Sequence, residues 1–126
     1  MSAYLIDSHI LVWARVNRQR LSKAALAILE DAQQDIYYSI VSSWELAIKE
    51  STGRLPLAPR FFEGLTETGF VCLPVEEKHI ETFRALPRLH KDPFDRMLVA
   101  QANAEGMTLI TADKRLAVYP VKLLQV

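Results

Sequence analysis

Four of the fifteen carboxylates in this 126-residue chain stand apart by position. Asp7 follows the apolar triplet Tyr4-Leu5-Ile6, and Glu45 lies just beyond Ile36-Tyr37-Tyr38-Ser39-Ile40. Asp95 closes Asp92-Pro93-Phe94-Asp95, and Asp113 comes two residues after Met107-Thr108-Leu109-Ile110-Thr111. Most other acids lie among charged residues in helix-like segments, where water solvates them. Like charges gathered in one place repel and raise one another's pKa, so collecting four acids lowers stability unless a cation neutralises them. Mg2+ and Mn2+ prefer oxygen ligands, and Mg2+ takes one or two carboxylates together with waters and substrate phosphates. A carboxylate set without clear His or Cys ligands favours these ions over zinc. Two such ions about 3.5–4 Å apart activate water and stabilise the leaving oxygen in phosphodiester hydrolysis.

Each acid also has a reading without a metal. The Ser-x-x-Glu spacing of Ser42-Ser43-Trp44-Glu45 predicts a capping box that opens a helix through about Glu50. A first-turn Asp95 favours its helix dipole, and Asp113 fits a turn in Thr111-Ala112-Asp113-Lys114. Asp7 is harder to explain as structure, because a charge directly after a buried strand needs a partner. Composition and spacing together reach as far as a metal site in an α/β domain.

The segments that must position these acids alternate in type. Tyr4-Leu5-Ile6 reads as a short buried strand, followed by a helix from about Ser8 to Arg15. Ser22 caps a second helix with Ala25, Leu26, Leu29 and Ala32 at helical intervals. Residues 36–40, rich in β-branched and aromatic side chains, read as a second strand. Gly53 breaks the helix carrying Glu45, Pro59 starts another, and Gly69 ends it. Phe70-Val71-Cys72-Leu73 reads as a third strand, and Val75 to Leu86 as a helix with Ile80, Phe83 and Leu86 on one face. Asp92 is an N-cap with Pro93 at the first helical position; Phe94, Leu98, Gln101 and Ala102 recur along that helix until Gly106. Residues 107–111 form a fourth strand and 121–124 a short fifth. Such alternation predicts a mostly parallel sheet covered on both faces, with ligands outside the carboxyl ends of the strands. Asp7 and Asp113 fall at those ends, and Glu45 follows within a few residues. Asp95 begins a helix that runs antiparallel to the strand it feeds, so all four converge.

The length fits a single domain, 1–126, and half the residues are hydrophobic with 24% charged, as in an ordinary globular protein. No apolar run approaches the roughly 20 residues that cross a bilayer, so no membrane partner is expected. The first residues lack a basic region and reach an acid at Asp7, which argues against a secretory signal. Cys72 is alone, which excludes an intrachain disulfide and a Cys-based zinc site and makes the cytoplasm the natural compartment. Lysine plus arginine equals aspartate plus glutamate, so any grip on nucleic acid is local, brief or helped by a partner.

The motifs themselves resemble a known family. Leu5-Ile6-Asp7-Ser8-His9, Ser42 to Lys49, Gly53-Arg54-Leu55, His90 to Ala102 and Leu109-Ile110-Thr111-Ala112-Asp113 are together similar to a PIN domain, and more narrowly to the VapC-type toxins of bacterial toxin–antitoxin pairs. The resemblance runs from Tyr4 to the last strand, and the His90–Ala102 block is its most specific part. It implies a three-layer α/β/α sandwich and an Mg2+- or Mn2+-dependent endoribonuclease leaving 5′-phosphate and 3′-hydroxyl ends. On that resemblance Asp7, Glu45, Asp95 and Asp113 are the catalytic and metal-binding acids. Asp7 and Asp95 head the ligand set, Glu45 binds metal or orients water, and Asp113 holds a second ion or acts through water. Thr111 matches a supporting hydroxyl two positions before the last acid, and Ser8 stands where many relatives have Thr. The implied partners are an RNA substrate, a cognate antitoxin that covers the acidic pocket, and a second copy of the chain in a homodimer.

Other residues are read more plainly. His9 is assigned to packing or a partner contact, His79 to an exposed helix face, and His90 to structure. Lys49, Arg54, Lys91, Arg96, Lys114 and Arg115 lie near the motifs, and Arg96 and Lys114 are taken as substrate-phosphate contacts, although Arg96 directly follows Asp95 and so points elsewhere on the helix. Trp13, Trp44, Phe61, Phe62 and Phe94 are read as core or interface residues, with partner-binding surface around Trp13 and between Leu55 and Leu65. Two alternatives stand beside the nuclease. One is a PIN-like binding module without catalysis. The other is a phosphoacceptor signalling domain, which fits poorly because it needs paired acids at the first strand and only Asp7 is there.

Overall fold

The computed structural model describes residues 3–126. One sheet is built from β1 (Ala3–Ile6), β2 (Asp35–Ser39), β3 (Val71–Leu73), β4 (Thr108–Thr111) and β5 (Leu123–Gln125). The helices are α1 (Ser8–Val16), α2 (Lys23–Glu30), α3 (Ile40–Ser51), α4 (Phe61–Glu67), α5 (Glu77–Ala85) and α6 (Pro93–Glu105). The strand order is β3-β2-β1-β4-β5, and each of the four pairs is parallel. Successive strand residues face opposite layers. Ile6 and Ile110 pack with Ile10, Leu11, Leu46 and Leu65 from α1, α3 and α4, whereas Leu5 and Leu109 pack with Leu98, Val99 and Ala102 of α6. The result is the expected α/β/α sandwich. No described helix is long and apolar enough to cross a membrane.

The chain steps outward from β1 to β2 to β3, then returns to the other side of β1 for β4. The direction therefore reverses between β1 and β4, and a doubly wound sheet opens its ligand crevice at the carboxyl ends of such a pair. Asp7 directly follows β1, and Thr111 ends β4. Phosphoacceptor receivers use the order 2-1-3-4-5, so this topology removes the signalling alternative.

Local chemistry moved several boundaries. The α3 helix starts at Ile40, where the Ser39 hydroxyl accepts from the Val41 N–H at 3.0 Å. Ser42 and Glu45 therefore lie inside the helix and form no capping box; both side chains turn inward and are buried. Ala32 lies beyond α2 and is exposed. Arg60, with φ 61°, turns the chain into α4 one residue after the proline expected to start it. β5 begins at Leu123, after the expected Val121.

The clearest correction is on α5. His79, expected on an exposed face, is fully buried, while Ile80 is 42% exposed. The His79 Nδ1 accepts the Glu76 N–H at 2.9 Å, so its proton sits on Nε2, which donates to the Glu105 carboxylate of α6 at 2.7 Å. A buried polar ring satisfied at both nitrogens escapes the desolvation penalty that would expel it. Lys78 joins the same carboxylate at 2.9 Å, and the His79 and Lys78 bonds hold Glu105 below the ordinary glutamate range. His79→Ala is expected to destabilise the fold by about 2–3 kcal/mol in urea unfolding, through a cavity plus an unpaired N–H.

Candidate active site

Each acid is fixed by the element that carries it. Asp7 caps α1: its Oδ1 accepts the Ile10 N–H at 2.9 Å, and its Oδ2 accepts the Thr111 hydroxyl. It is 2% exposed, and burial raises its pKa despite these bonds. The Thr111 hydroxyl also accepts the Asp113 N–H at 3.0 Å, so one side chain ties the end of β1 to the segment after β4. Thr111→Val removes both bonds and is expected to slow RNA cleavage about 10–100-fold with the fold intact, while Thr111→Ser stays near wild type in the same assay.

Glu45 reaches in from the second turn of α3. The Ser8 hydroxyl donates to it, and Lys49 lies 3.4 Å away on the next turn of the same helix. Asp95 sits in the first turn of α6, behind the Asp92 cap whose Oδ1 accepts the Phe94 N–H at 2.8 Å. Its pKa is pushed up to about 7, first by burial and then by the charges of Asp92, Asp7, Glu45 and Asp113. All four expected acids thus lie on the same side of the fold, the other three near enough for their charges to act on Asp95, with Asp92 as a further contributor. Asp113 is held differently. Its Oδ1 accepts the Arg115 N–H and Nε–H at 2.9 and 3.0 Å, and its Oδ2 accepts from Arg115 Nη2 at 2.9 Å and His90 Nε2 at 3.2 Å. Those donors, Arg115 above all, hold the Asp113 carboxyl well below the usual carboxylate range.

The cluster is thus charged unevenly. Arg115 and His90 satisfy Asp113, and Lys49 partly satisfies Glu45, but Asp95 is left where another proton or cation is favoured. Burial and the surrounding carboxylates favour a cation beside Asp95, and their oxygens suit a hard divalent metal; among the described residues, the atoms at this site close enough to share one ion are those of His90, Asp95 and Asp113. The edge of the sheet also offers room. A hollow of about 310 Å3 opens on the Glu45 side beside Ser8, Trp13, Lys49 and Arg54. One of about 670 Å3 opens on the Asp113 side beside His90, Lys91, Asp92 and Arg115.

Some expected residues lie elsewhere. The Arg96 guanidinium rests 4.4 Å over the Phe83 ring and donates to the Leu86 carbonyl at 3.3 Å, so it joins α6 to α5 and is turned away from a substrate role. Lys114 is exposed in the short 3-10 helix Lys114–Val118 that Asp113 caps. Phe61 is core, whereas Trp44 is 62% exposed and meets Phe94 edge-on at 5.2 Å. His90, read from sequence as structural, stands beside Asp95 and Asp113. Its place two residues before the Asp92 cap was the available signal.

Comparison with known proteins agrees with this geometry. The PIN domain family model matches residues 4–122. The chain is 32% identical over 119 residues to Ribonuclease VapC22 of Mycobacterium tuberculosis, covering 92% of this chain and 91% of that protein. The VapBC2 complex of Rickettsia felis bound to a promoter DNA fragment superposes with a TM-score of 0.71 at 17% identity, over 98% of both chains. A toxin–antitoxin complex from Klebsiella pneumoniae gives 0.68 at 21% identity, over 97% of this chain and 96% of that one. At those identities the two structures speak for the fold alone. The family match and the VapC22 relationship, on a chain whose acids converge at the β1/β4 crevice, make this protein a member of the PIN domain family in its VapC-type ribonuclease branch.

Proposed function

We propose that the chain is an endoribonuclease that hydrolyses RNA phosphodiester bonds with Mg2+ or Mn2+, and that it is the toxin of a toxin–antitoxin pair. The observation that supports this reading is the Asp95 carboxyl, pushed up to about 7 first by burial and then by the charges of Asp92, Asp7, Glu45 and Asp113. Asp7, Asp95 and Glu45 would hold the ion. When bound, the ion supplies Lewis acidity: it lowers the pKa of the attacking water and stabilises charge on the leaving oxygen. Asp7 is oriented for this by the Ile10 N–H and the Thr111 hydroxyl, and Glu45 by Ser8. Lys49 and Arg54 line one hollow beside the acids and Lys91 and Arg115 the other, and they offer positive charge to the phosphates on either side of the cut.

Relatives with this fold were solved with antitoxins, which supports a cognate antitoxin as the partner that silences the site. The exposed Ile40, Trp44 and Ile48, one turn apart on α3, offer a face for a second copy in a homodimer. The cytoplasm is the setting in which such a toxin meets its RNA. The non-catalytic alternative gains no support, because every acid the chemistry needs is present and, among the described residues, Asp95 has no cationic side chain closer than the His90 ring at 3.7 Å. The test is product chemistry on a defined RNA cut by the partner-free protein. Water attack leaves 5′-phosphate and 3′-hydroxyl ends; 2′,3′-cyclic phosphate ends would mean that the RNA's own 2′-hydroxyl attacks, and would overturn the mechanism.

A further inference from the structure

His90 belongs to a closed circuit of contacts that the acids alone do not explain. Asp113 caps the 3-10 helix Lys114–Val118, and that helix ends at Tyr119, which is 3% exposed. The Tyr119 hydroxyl turns back to accept the Leu89 and His90 N–H groups at 3.2 and 3.0 Å. The His90 ring then returns to Asp113. Its side chain is 6% exposed, with Nε2 3.2 Å from Asp113 Oδ2 and 3.7 Å from Asp95 Oδ2. Three ligand-type atoms so close together could equally describe a mixed nitrogen–oxygen metal site.

The backbone decides between the two. The His90 Nδ1 accepts the Asp92 N–H at 3.0 Å, so Nδ1 carries no proton. A neutral imidazole keeps its one proton on the other nitrogen, which makes Nε2 a donor without a free lone pair. We propose that His90 is a positioning residue of the nuclease site: an Nε2–H donor that anchors the Asp113 carboxylate and takes no part in ligating metal. This rests on the reading of the acids as a metal-dependent nuclease site. Asp113 has a second anchor of opposite character, the Arg115 side chain, which is 74% exposed. The buried histidine is the permanent partner and the exposed arginine the exchangeable one. When Arg115 swings to an RNA phosphate, His90 still holds Asp113 in place beside Asp95.

The test compares three variants by two readouts. Glutamine places an amide N–H near the position of the histidine Nε2, whereas asparagine reaches only the Nδ1 position. His90→Gln is expected to keep kcat and Mn2+ affinity within about threefold of wild type. His90→Asn and His90→Ala are expected to lose about 10–100-fold in kcat or Mn2+ affinity, with KM for RNA near wild type. Were His90 a ligand, Gln would lose Mn2+ affinity as severely as Ala, and that result overturns the proposal. Nitrogen-15 NMR of the wild-type ring gives an answer that needs no turnover. Nε2 should be protonated and Nδ1 bare, both without metal and with saturating Mg2+. A proton on Nδ1, or loss of the Nε2 proton on adding Mg2+, also overturns it. Failure of the nuclease reading looks different: the wild-type protein would cut no RNA while its ring kept the Nε2–H tautomer.

Discussion

Asp95→Asn is expected to cleave RNA at least about a hundredfold more slowly than wild type, and yet to unfold at a higher temperature when no metal is present. Both effects have one cause. The carboxyl is largely desolvated and sits among four other acids, so its native pKa stands at about 7 against 3.8 in the unfolded chain. Between these values the native state holds a proton that the unfolded state has released. Stability therefore falls as pH rises from about 4 to about 7, the direction opposite to that of a salt-bridged aspartate. Water reaches part of this group, so the penalty at neutral pH is about 1–2 kcal/mol, well below a full conversion of the shift. Asparagine keeps the shape and removes the charge, which should raise Tm by about 3–8 °C in the metal-free protein. Mg2+ should then stabilise wild type and leave the variant unchanged. A variant that unfolds earlier than wild type without metal would mean that Asp95 is paired in a way the structure lacks.

The second large effect is on pH. A metal that binds Asp95 must displace its proton whenever the solution lies below pH 7. Apparent metal affinity should rise about fivefold between pH 6 and pH 7, and about tenfold by pH 8, where it levels off. Asp7, also raised by burial, acts in the same direction. Cleavage measured at limiting Mg2+ should follow this rise, and saturating Mg2+ should flatten it, because mass action restores the bound state. Calorimetric titration of Mn2+ across pH 5.5–8.5 checks the slope directly. An affinity independent of pH would place the ion away from Asp95. Asp113 contributes nothing to this slope, since Arg115 and His90 keep it ionised far below the range.

Much of the arrangement was legible in the residues. The alternation of Leu5 with Ile6 and of Leu109 with Ile110 between two cores is what parallel strands buried on both faces require. Asp92-Pro93 fixed the start of α6, and with it the place of Asp95, because an Asp cap followed by proline leaves little freedom. The misreadings came where long-range partners overrode a local pattern. Ser42-x-x-Glu45 has the spacing of a capping box, but Ser39 caps one turn earlier and frees Glu45 to face Ser8 across the sheet edge. His79 looked like a surface residue until Glu105, 26 residues away, supplied its second hydrogen bond. Arg96 follows the site acid directly, and helix geometry turns it about 100° away, onto Phe83. Arg115 meets Asp113 locally, but His90 reaches it across 23 residues, where the Tyr119 hydroxyl ties the segment before α6 to the end of the 3-10 helix. No sequence spacing encodes that contact.

The central claim is that these acids hold a divalent ion with which the chain cuts RNA. It is tested most directly by incubating partner-free protein with one defined structured RNA, with Mg2+ or Mn2+ and with chelator, beside Asp95→Asn. Cuts that need the metal, vanish with chelator and are missing from the folded variant are the predicted result. Cuts that persist in chelator, or that Asp95→Asn makes as fast as wild type, would contradict it.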